Sequence, residues 1–226
     1  WSARLKRALN QADVFRIDHF RGFAGYYEIP ASCPTAEDGV WVPGPGKALF
    51  ESIERTLGHL PIVAEDLGLI TEDVIELRDG FEFPGMKILQ FGFGSDASDD
   101  FLPHNWARNF VAYTGTHDND TVRGWWLGAT ERERAYAGSY LATDQAHVHW
   151  AMIRACCNSV ANIAVFPLQD VLGLDGAHRM NVPGTVGPHN WTWRFDWQWL
   201  GSEPARVLGL ISAASGRGPL ELLKLP

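Results

Sequence analysis

The sequence predicts an α/β fold in which helices cover a parallel β-sheet. Helical and strand-like segments alternate along the chain, which is the pattern of successive βα units. The strand-like segments are almost continuously apolar, as expected for strands that are buried on both faces. Three of them run into acidic residues, Asp18, Glu65 and Asp118. Because ligands bind outside the carboxyl ends of parallel strands, these acids are the first candidates for function.

Composition narrows the class of protein. The chain has 226 residues, of which 46% are hydrophobic and 20% charged, as in ordinary globular proteins. Its formal net charge of -8 predicts neither a nucleic-acid partner nor a membrane partner, since both attract basic surfaces. No run of apolar residues reaches the length of a transmembrane helix, and the chain does not begin with a signal peptide.

The cysteines predict neither a disulfide framework nor a zinc site. The chain has Cys33, Cys156 and Cys157, an odd number with two adjacent and no CxxC pair. A reducing compartment fits this pattern. His147 and His149 lie two apart on a predicted helix and face different ways, so we predict no metal site there.

Apolar spacing and capping residues place the elements. Strands are predicted over residues 14–18, 60–68, 86–91, 110–114 and 162–168. Helices are predicted over residues 1–11 and 47–57, after the caps Thr71, Thr130 and Thr143, and from Ser202. Residues 22–46 and 180–197 are predicted loops, and Trp125, Trp126, Trp191, Trp193, Trp197 and Trp199 are predicted to pack against other residues.

The strand that ends at Asp18 carries a charged pair. Side chains alternate faces along a strand, so Arg16 and Asp18 lie on the same side. The arginine favours the ionised form of the carboxylate. This stretch alone leaves a structural ion pair and a catalytic carboxylate equally open.

The three acids lie far apart in sequence, so each belongs to a different βα unit. In a (β/α)₈ barrel all strands end on one face, which would bring the acids together. In an open doubly wound sheet they would spread along an edge. No glycine-rich dinucleotide fingerprint follows any strand, which weakens the open-sheet alternative.

Acids brought together on one face of a barrel suit the chemistry of a retaining glycosidase. One carboxylate attacks the anomeric carbon and another acid protonates the leaving oxygen, with the two groups roughly 5–5.5 Å apart. Asp18, kept ionised by Arg16, suits the nucleophile. Glu65 has no cationic neighbour in sequence, which favours its protonated form and suits the general acid and base. His117 is placed to bond substrate hydroxyls.

The sequence around these acids resembles that of a known family. The segments RIDHFRGF (16–23), LPIVAEDLG (60–68) and YTGTHDNDT (113–121) are similar to three sequence regions of the α-amylase superfamily. The segments WVPGPGKALF (41–50), MKILQFGF (86–93), RMNVPGT (179–185) and NWTWRF (190–195) bring the resemblance closer to glycoside hydrolase family 77, the 4-α-glucanotransferases or amylomaltases.

The resemblance implies a fold and a set of roles. The fold is the C-terminal part of a (β/α)₈ TIM barrel, with about five βα units in a single domain over residues 1–226 and with the N-terminal strands expected upstream of Trp1. By resemblance Asp18 is the nucleophile, Glu65 the general acid and base, and Asp118 the transition-state stabiliser. The candidate substrate contacts are Arg16, His19, His117 and Asn181.

The implied activity is transfer of α-1,4-glucan segments between maltooligosaccharide, starch or glycogen chains by double displacement. The alternatives are an α-glucan hydrolase and an inactive piece that binds glucan. The resemblance implies α-1,4-glucans and maltooligosaccharides as partners, no cofactor, no metal, and a cytoplasmic or plastid-stromal location. We expect these 226 residues by themselves to fold poorly and to have negligible activity, because five predicted strands cannot close a barrel of eight.

Overall fold

A computed structural model describes residues 1–223 of the chain. It is a mixed α/β structure that divides into two compact units, one formed by residues 1–86 and one that begins at Lys87. The prediction of a single domain over residues 1–226 stays a prediction. None of the helices within residues 1–223 has the length and apolar character needed to cross a membrane.

The first unit combines three helices with four strands. The helices are α1 (Ser2–Leu9), α2 (Gly46–Leu57) and α3 (Glu72–Gly80). The strands are β1 (Phe15–Ile17), β2 (Gly25–Glu28), β3 (Val40–Pro43) and β4 (Ile62–Ala64).

Strands β1 and β4 pair in parallel, as the sequence predicts. Their register joins Phe15 to Ile62 and Ile17 to Ala64. All three residues of β4 are buried, and the core beside them is rich in aromatic side chains, including Phe20, Phe50 and Phe83. This packing fixes the strand pair on which two of the predicted acids lie.

The predicted loop over residues 22–46 contains a β-hairpin, which corrects the prediction. Strands β2 and β3 pair antiparallel, from Gly25 opposite Pro43 to Glu28 opposite Val40. Tyr26, Trp41 and their neighbours leave much of their surface exposed, so the hairpin lacks the burial pattern of a core strand. Gly44 follows it because a β-carbon there would collide with the main-chain carbonyl of Phe23.

The second unit is built on a three-stranded sheet in the order β5-β6-β7. Its strands are β5 (Gly85–Ile88, which begins just before the boundary), β6 (Phe110–Tyr113) and β7 (Ile163–Val165). Its helices are α4 (Val122–Gly128), α5 (Glu131–Leu141), α6 (Val148–Asn158), α7 (Leu168–Val171) and α8 (Ser202–Ala214). Strands β6 and β7 pair in parallel, as predicted.

Strand β5 is shorter than predicted. It ends at Ile88, and the chain continues as a 3₁₀ turn over Leu89–Phe93 instead of a strand as far as Phe91. An apolar run marks burial, and periodicity alone does not separate a short strand from a buried turn.

The capping predictions had mixed outcomes. The capping box of Thr130 and Glu133 is confirmed. Thr143 as a cap is wrong, because α6 begins only at Val148 with His147 in the cap position. Helix α8 begins at Ser202, as predicted. Thr71 occupies the cap position of α3, but its hydroxyl donates to the carboxylate of Asp73 at 2.5 Å.

The strand order does not by itself show a closed barrel. Over residues 1–223 it comprises the pairs β1–β4 and β2–β3 and the trio β5-β6-β7. Cys156 and Cys157 are both buried on α6. The apolar C-terminal tail forms a 3₁₀ turn over Leu220–Leu223, and the remaining residues, 224–226, lie outside the described range.

Candidate active site

Asp18 and Glu65 follow two strands that lie side by side. The parallel register pairs Ile17 at the end of β1 with Ala64 at the end of β4, and each acid is the next residue on its strand. Neighbouring strands are about 4.8 Å apart. The two acids therefore extend from adjacent strands, and a retaining glycosidase needs its two carboxyl groups roughly 5–5.5 Å apart.

Asp18 forms the ion pair that its spacing from Arg16 predicts. Nη2 of Arg16 lies 2.5 Å from Oδ1 of Asp18. Arg16 is held from the other side by Met86, whose sulfur is 3.9 Å from Nη1. The side chain of Asp18 is 76% exposed, so one carboxylate oxygen is bound by the arginine while the group remains accessible to a ligand.

Glu65 accepts hydrogen bonds from two main-chain N–H groups. Its Oε2 accepts from His19 at 2.6 Å, and its Oε1 accepts from Leu67 at 3.0 Å. These two donors fix the orientation of the carboxylate. The sequence around Glu65 indicated no such partner. The structure supplies donors that are main-chain groups and therefore leave no trace in side-chain composition.

The bond from His19 depends on an unusual backbone conformation. His19 has φ 49° and ψ 51°, in the left-handed region, which costs a residue other than glycine about 1–3 kcal/mol. The turn directs the His19 N–H to the Glu65 carboxylate, and the N–H of Phe20 donates to the Glu65 carbonyl at 2.9 Å. Phe20 is fully buried and anchors the turn.

Asp66 and Arg78 support Glu65, and sequence reasoning missed this role. Nη1 of Arg78 lies 2.5 Å from Oδ2 of Asp66, and the N–H of Met86 donates to Oδ1 at 2.8 Å. Asp66 is buried, so this bonded pair is costly to disrupt from one side. It holds the chain where β4 passes into the loop that carries Glu65.

Asp118 lies in the loop after β6, in the second unit. Its Oδ1 accepts from Nδ2 of Asn181 at 2.6 Å, and its Oδ2 lies 3.3 Å from Nε2 of His117. The loop is also fixed internally, since Oδ1 of Asn119 accepts from the N–H of Thr116 at 2.8 Å. The structure thus brings two of the predicted substrate contacts, His117 and Asn181, to the carboxylate of Asp118.

Arg179 joins this loop to the segment that carries Asn181. Its Nη2 donates to the main-chain carbonyl of Asp118 at 2.7 Å, and its Nε donates to the carbonyl of Asn181, also at 2.7 Å. Sequence reasoning noted the segment RMNVPGT but assigned Arg179 no role. The arginine next to a predicted contact residue was the only available signal.

The tryptophans differ in how deeply they are packed. Trp126 is buried, with 8% of its surface exposed. Trp191 is 62% exposed and Trp197 is 77% exposed, although the Trp197 ring lies 5.1 Å from the Phe195 ring. The Trp191 ring lies 5.1 Å from the His117 ring, and the main-chain N–H of Trp191 donates to the carbonyl of Met180 at 2.8 Å. Composition does not separate buried from exposed tryptophan.

A buried carboxyl group supports the base of the Asp118 loop. Asp170 is fully buried and accepts from Oγ1 of Thr114 at 2.6 Å and from the N–H of Val122 at 2.7 Å. Burial raises the pKa of Asp170 to about 6. Thr114 is the residue after β6, so this contact fixes the point at which the loop begins. Within residues 1–223, no group of three or more acidic, histidine or cysteine side chains is arranged to hold a metal ion.

Comparison with known proteins places this geometry in a family. Residues 1–199 match the family model described as 4-alpha-glucanotransferase. The chain is 50% identical over 202 residues to a 4-alpha-glucanotransferase of Thermus thermophilus, covering 86% of this chain and 40% of that protein. It is 50% identical over 195 residues to the chloroplastic/amyloplastic 4-alpha-glucanotransferase of Solanum tuberosum, and 47% identical over 220 residues to that of Synechocystis. It spans 34% and 43% of those two proteins.

Solved structures agree with the sequence comparison. The amylomaltase from Streptococcus agalactiae, solved in complex with acarbose, matches with a TM-score of 0.93 and 38% identity. The match covers 97% of this chain and 44% of that one. The amylomaltase from Corynebacterium glutamicum has a TM-score of 0.73 at 18% identity, which shows likeness of fold.

Proposed function

Because this chain belongs to the 4-alpha-glucanotransferase family, we propose that it carries the catalytic acids of an enzyme that transfers α-1,4-glucan segments with retention of configuration. The observation that carries the proposal is the register of β1 and β4, which sets Asp18 and Glu65 side by side at the carboxyl ends of parallel strands. Retaining transfer needs two carboxyl groups roughly 5–5.5 Å apart, and acids on adjacent strands suit that requirement.

The proposal includes the finer description of the fold, the C-terminal part of a (β/α)₈ barrel. The parallel pairs β1–β4 and β6–β7 support it. So does the TM-score of 0.93 with an amylomaltase. Active sites in such barrels are built from the carboxyl ends of the strands, where the predicted acids lie.

In the first half of the proposed reaction, Asp18 is the nucleophile. Its carboxylate attacks the anomeric carbon of the donor glucan while the bond to the leaving 4-oxygen breaks. Protonated Glu65 gives its proton to that oxygen, so the leaving chain departs as a neutral alcohol. The ion pair with Arg16 holds one oxygen of the Asp18 carboxylate.

In the second half, the 4-hydroxyl of an acceptor glucan replaces the Asp18 ester. Ionised Glu65 removes the hydroxyl proton as the new glycosidic bond forms and the ester bond to Asp18 breaks. The main-chain N–H groups of His19 and Leu67 hold the Glu65 carboxylate in place for this step.

Asp118 is proposed to stabilise the oxocarbenium-like transition state, and Arg16, His19, His117 and Asn181 are proposed to contact the substrate. The contacts of both Asp118 oxygens hold its carboxylate in one orientation. Preorganised charge of this kind is usually a large contribution to catalysis.

The proposed substrates are α-1,4-glucans and maltooligosaccharides, and the proposed location is the cytoplasm or a plastid stroma. The family of the chain supports the substrate class. The Solanum tuberosum and Arabidopsis thaliana relatives are described as chloroplastic/amyloplastic, which supports the plastid for a plant or algal protein.

The test is to incubate the full-length protein with maltotriose. A ladder of longer oligomers together with glucose is expected from transfer. Maltose and glucose alone would indicate hydrolysis, and glucan binding without turnover would indicate a binding protein. Residues 1–226 should be assayed in parallel, since their negligible activity when expressed alone remains a prediction.

A further inference from the structure

One guanidinium group connects the two chain segments that meet at Asp118. The Nη2 and Nε groups of Arg179 each make a 2.7 Å bond, the first to the main-chain carbonyl of Asp118 and the second to that of Asn181. Between the same two residues, Nδ2 of Asn181 donates to Oδ1 of Asp118 at 2.6 Å. The main chains and the side chains of Asp118 and Asn181 are therefore linked separately, and Arg179 supplies the main-chain link.

The two segments differ in how they are otherwise held. The Asp118 loop follows β6 directly and is braced by Asn119, whose Oδ1 accepts from both the N–H and the hydroxyl of Thr116. Residues 179–196, in contrast, contain no helix or strand in the described structure. Near Asn181, that segment is held by the main-chain N–H of Trp191, which donates to the Met180 carbonyl, and by Asn190, whose Oδ1 accepts from the N–H of Val182 and whose Nδ2 donates to Thr185. The position of the Asn181 amide therefore depends on a few tethers.

We propose that Arg179 is a positioning residue, which holds Asn181 in register with Asp118 so that the carboxylate keeps the orientation needed for transfer. The inference rests on the proposed function for its catalytic consequence. Arg179 acts through main-chain carbonyls and does not itself need to touch the sugar. Catalytic groups need placement to within about 0.5 Å, and a misplacement of about 1 Å costs about 100-fold in rate.

The chemistry of arginine explains why this residue type suits the position. The guanidinium is planar and rigid, so the spacing between its Nε and Nη2 donors is constant and sets the spacing of the two carbonyls. A lysine ammonium keeps the charge but is a single point donor on a flexible stem. Arg179→Lys should therefore retain only part of the function, and Arg179→Ala should lose it.

The central experiment measures Arg179→Ala in the full-length protein with maltotriose as donor. We expect kcat to fall about 10- to 100-fold while KM changes less than about threefold. The same loss is expected with a maltosyl fluoride donor, because Asp118 acts on the sugar ring and not on the leaving group. Guanidinium ions at millimolar, non-denaturing concentration should restore part of kcat, and Arg179→Lys should lie between wild type and alanine.

A matched control separates positioning from general loss of an arginine. Arg123 lies in the same unit, is also partly buried, and donates from Nη1 to the carbonyl of Gly173 at 3.0 Å. Arg123→Ala should leave the ratio of kcat to KM within about threefold of wild type and should not respond to guanidinium. The double variant Arg179→Ala/Asn181→Ala should lose little more than the worse single variant, since both changes disturb one contact.

A readout without turnover keeps the inference testable apart from the proposed function. The NMR signals of the Asn181 side-chain amide, identified by their loss in Asn181→Ala, should move toward free-amide values in Arg179→Ala and remain unchanged in Arg123→Ala. If wild type transfers no glucan, the proposed function fails and these signals still decide the positioning role. Wild-type kcat in Arg179→Ala, unmoved amide signals, or full additivity with Asn181→Ala would each overturn the inference.

Discussion

The regions around Glu65 and Asp118 hold a carboxylate by different means. Glu65 extends from the end of a strand, and main-chain N–H groups of His19 and Leu67 bind it within the β1–β4 register. Asp118 lies in a loop and is bound by side chains of His117 and Asn181, with Arg179 behind them. The first arrangement follows from strand pairing. The second depends on a segment some sixty residues later, since the Asn181–Asp118 bond spans 63 positions.

This difference has a consequence for substitution. A carboxylate that is held by main-chain donors keeps its surroundings when nearby side chains change, because every residue type except proline supplies the same N–H group. A carboxylate that is held by side chains can lose its partners one at a time. Variants around Asp118 should therefore show graded losses, whereas variants around Glu65 should act mainly through the carboxyl groups themselves.

The largest effect is expected at Asp18, which lies on the strand beside Glu65. Asp18→Asn keeps the shape but removes the nucleophile, so kcat for maltotriose transfer should fall by about 10⁴-fold or more. Asp13→Asn, an exposed acid just before β1, is the control and should retain activity. The measurements are turnover and a thermal unfolding curve of the full-length protein. Retention of most activity in the folded Asp18→Asn variant would remove Asp18 from its role.

Glu65→Gln tests the acid and base assignment by the choice of donor. With maltotriose, formation of the glycosyl–enzyme should fall by about 10²- to 10⁴-fold because the leaving oxygen receives no proton. With a glycosyl fluoride, whose departure needs little acid help, the rate of that step should stay near wild type. Glu72→Gln, in the exposed first turn of α3, is the control. Equal losses with both donors would contradict the assignment.

Asp170→Asn tests the region around Asp118 through the pH dependence of stability, because Asp170 lies at the base of the Asp118 loop. Burial raises the pKa of Asp170 to about 6 in the folded protein, against 3.8 for an ordinary aspartate. A raised pKa means that the folded state favours the protonated form. The stabilising contribution is therefore complete below about pH 4 and is lost as pH rises through 6, with a total of up to about 3 kcal/mol.

The measurement is the free energy of unfolding by urea at several pH values between 4 and 7.5. Wild type should lose stability relative to Asp170→Asn over this range, because the amide does not titrate. Asp175→Asn, which lies on an exposed turn, should follow wild type. A constant difference between wild type and Asp170→Asn across the range would contradict the raised pKa.

The smallest effect is expected at Arg217, a structural counterpart of Arg179. Its guanidinium donates to the carbonyls of Cys157, Ser159, Ala161 and Asn162, which closes the end of α6 onto the start of β7. Arg217→Ala should lower the free energy of unfolding by about 2 kcal/mol without changing the ratio of kcat to KM. Arg206→Ala, which breaks only an exposed pair with Glu203, should leave stability unchanged.

Comparison of Arg217→Ala with Arg179→Ala then separates a structural role of arginine from a positioning role. Stability should respond at Arg217 and kcat at Arg179. A kcat loss in folded Arg217→Ala equal to that of Arg179→Ala would mean that turnover reports general loosening of the unit and not the position of Asn181.

Several features followed from the sequence because they depend on local patterns. Side chains alternate between the two faces of a strand, which predicted that Arg16 and Asp18 lie on the same side. The structure confirms this by their ion pair. The apolar runs predicted the parallel pairs β1–β4 and β6–β7, and the spacing of Thr130 and Glu133 predicted their capping box. Each of these is decided within a few residues by backbone geometry or by burial of a continuous apolar strand.

Other features were decided only by the tertiary structure. The hairpin β2–β3 forms although Tyr26 and Trp41 stay exposed, so no burial pattern marked it. The donors to Glu65 are main-chain groups that reach it through the left-handed turn at His19. The role of Arg179 depends on two carbonyls brought together by the path of the chain. Residue types record local preference and burial, whereas contacts made by the main chain across long separations exist only once the chain has folded.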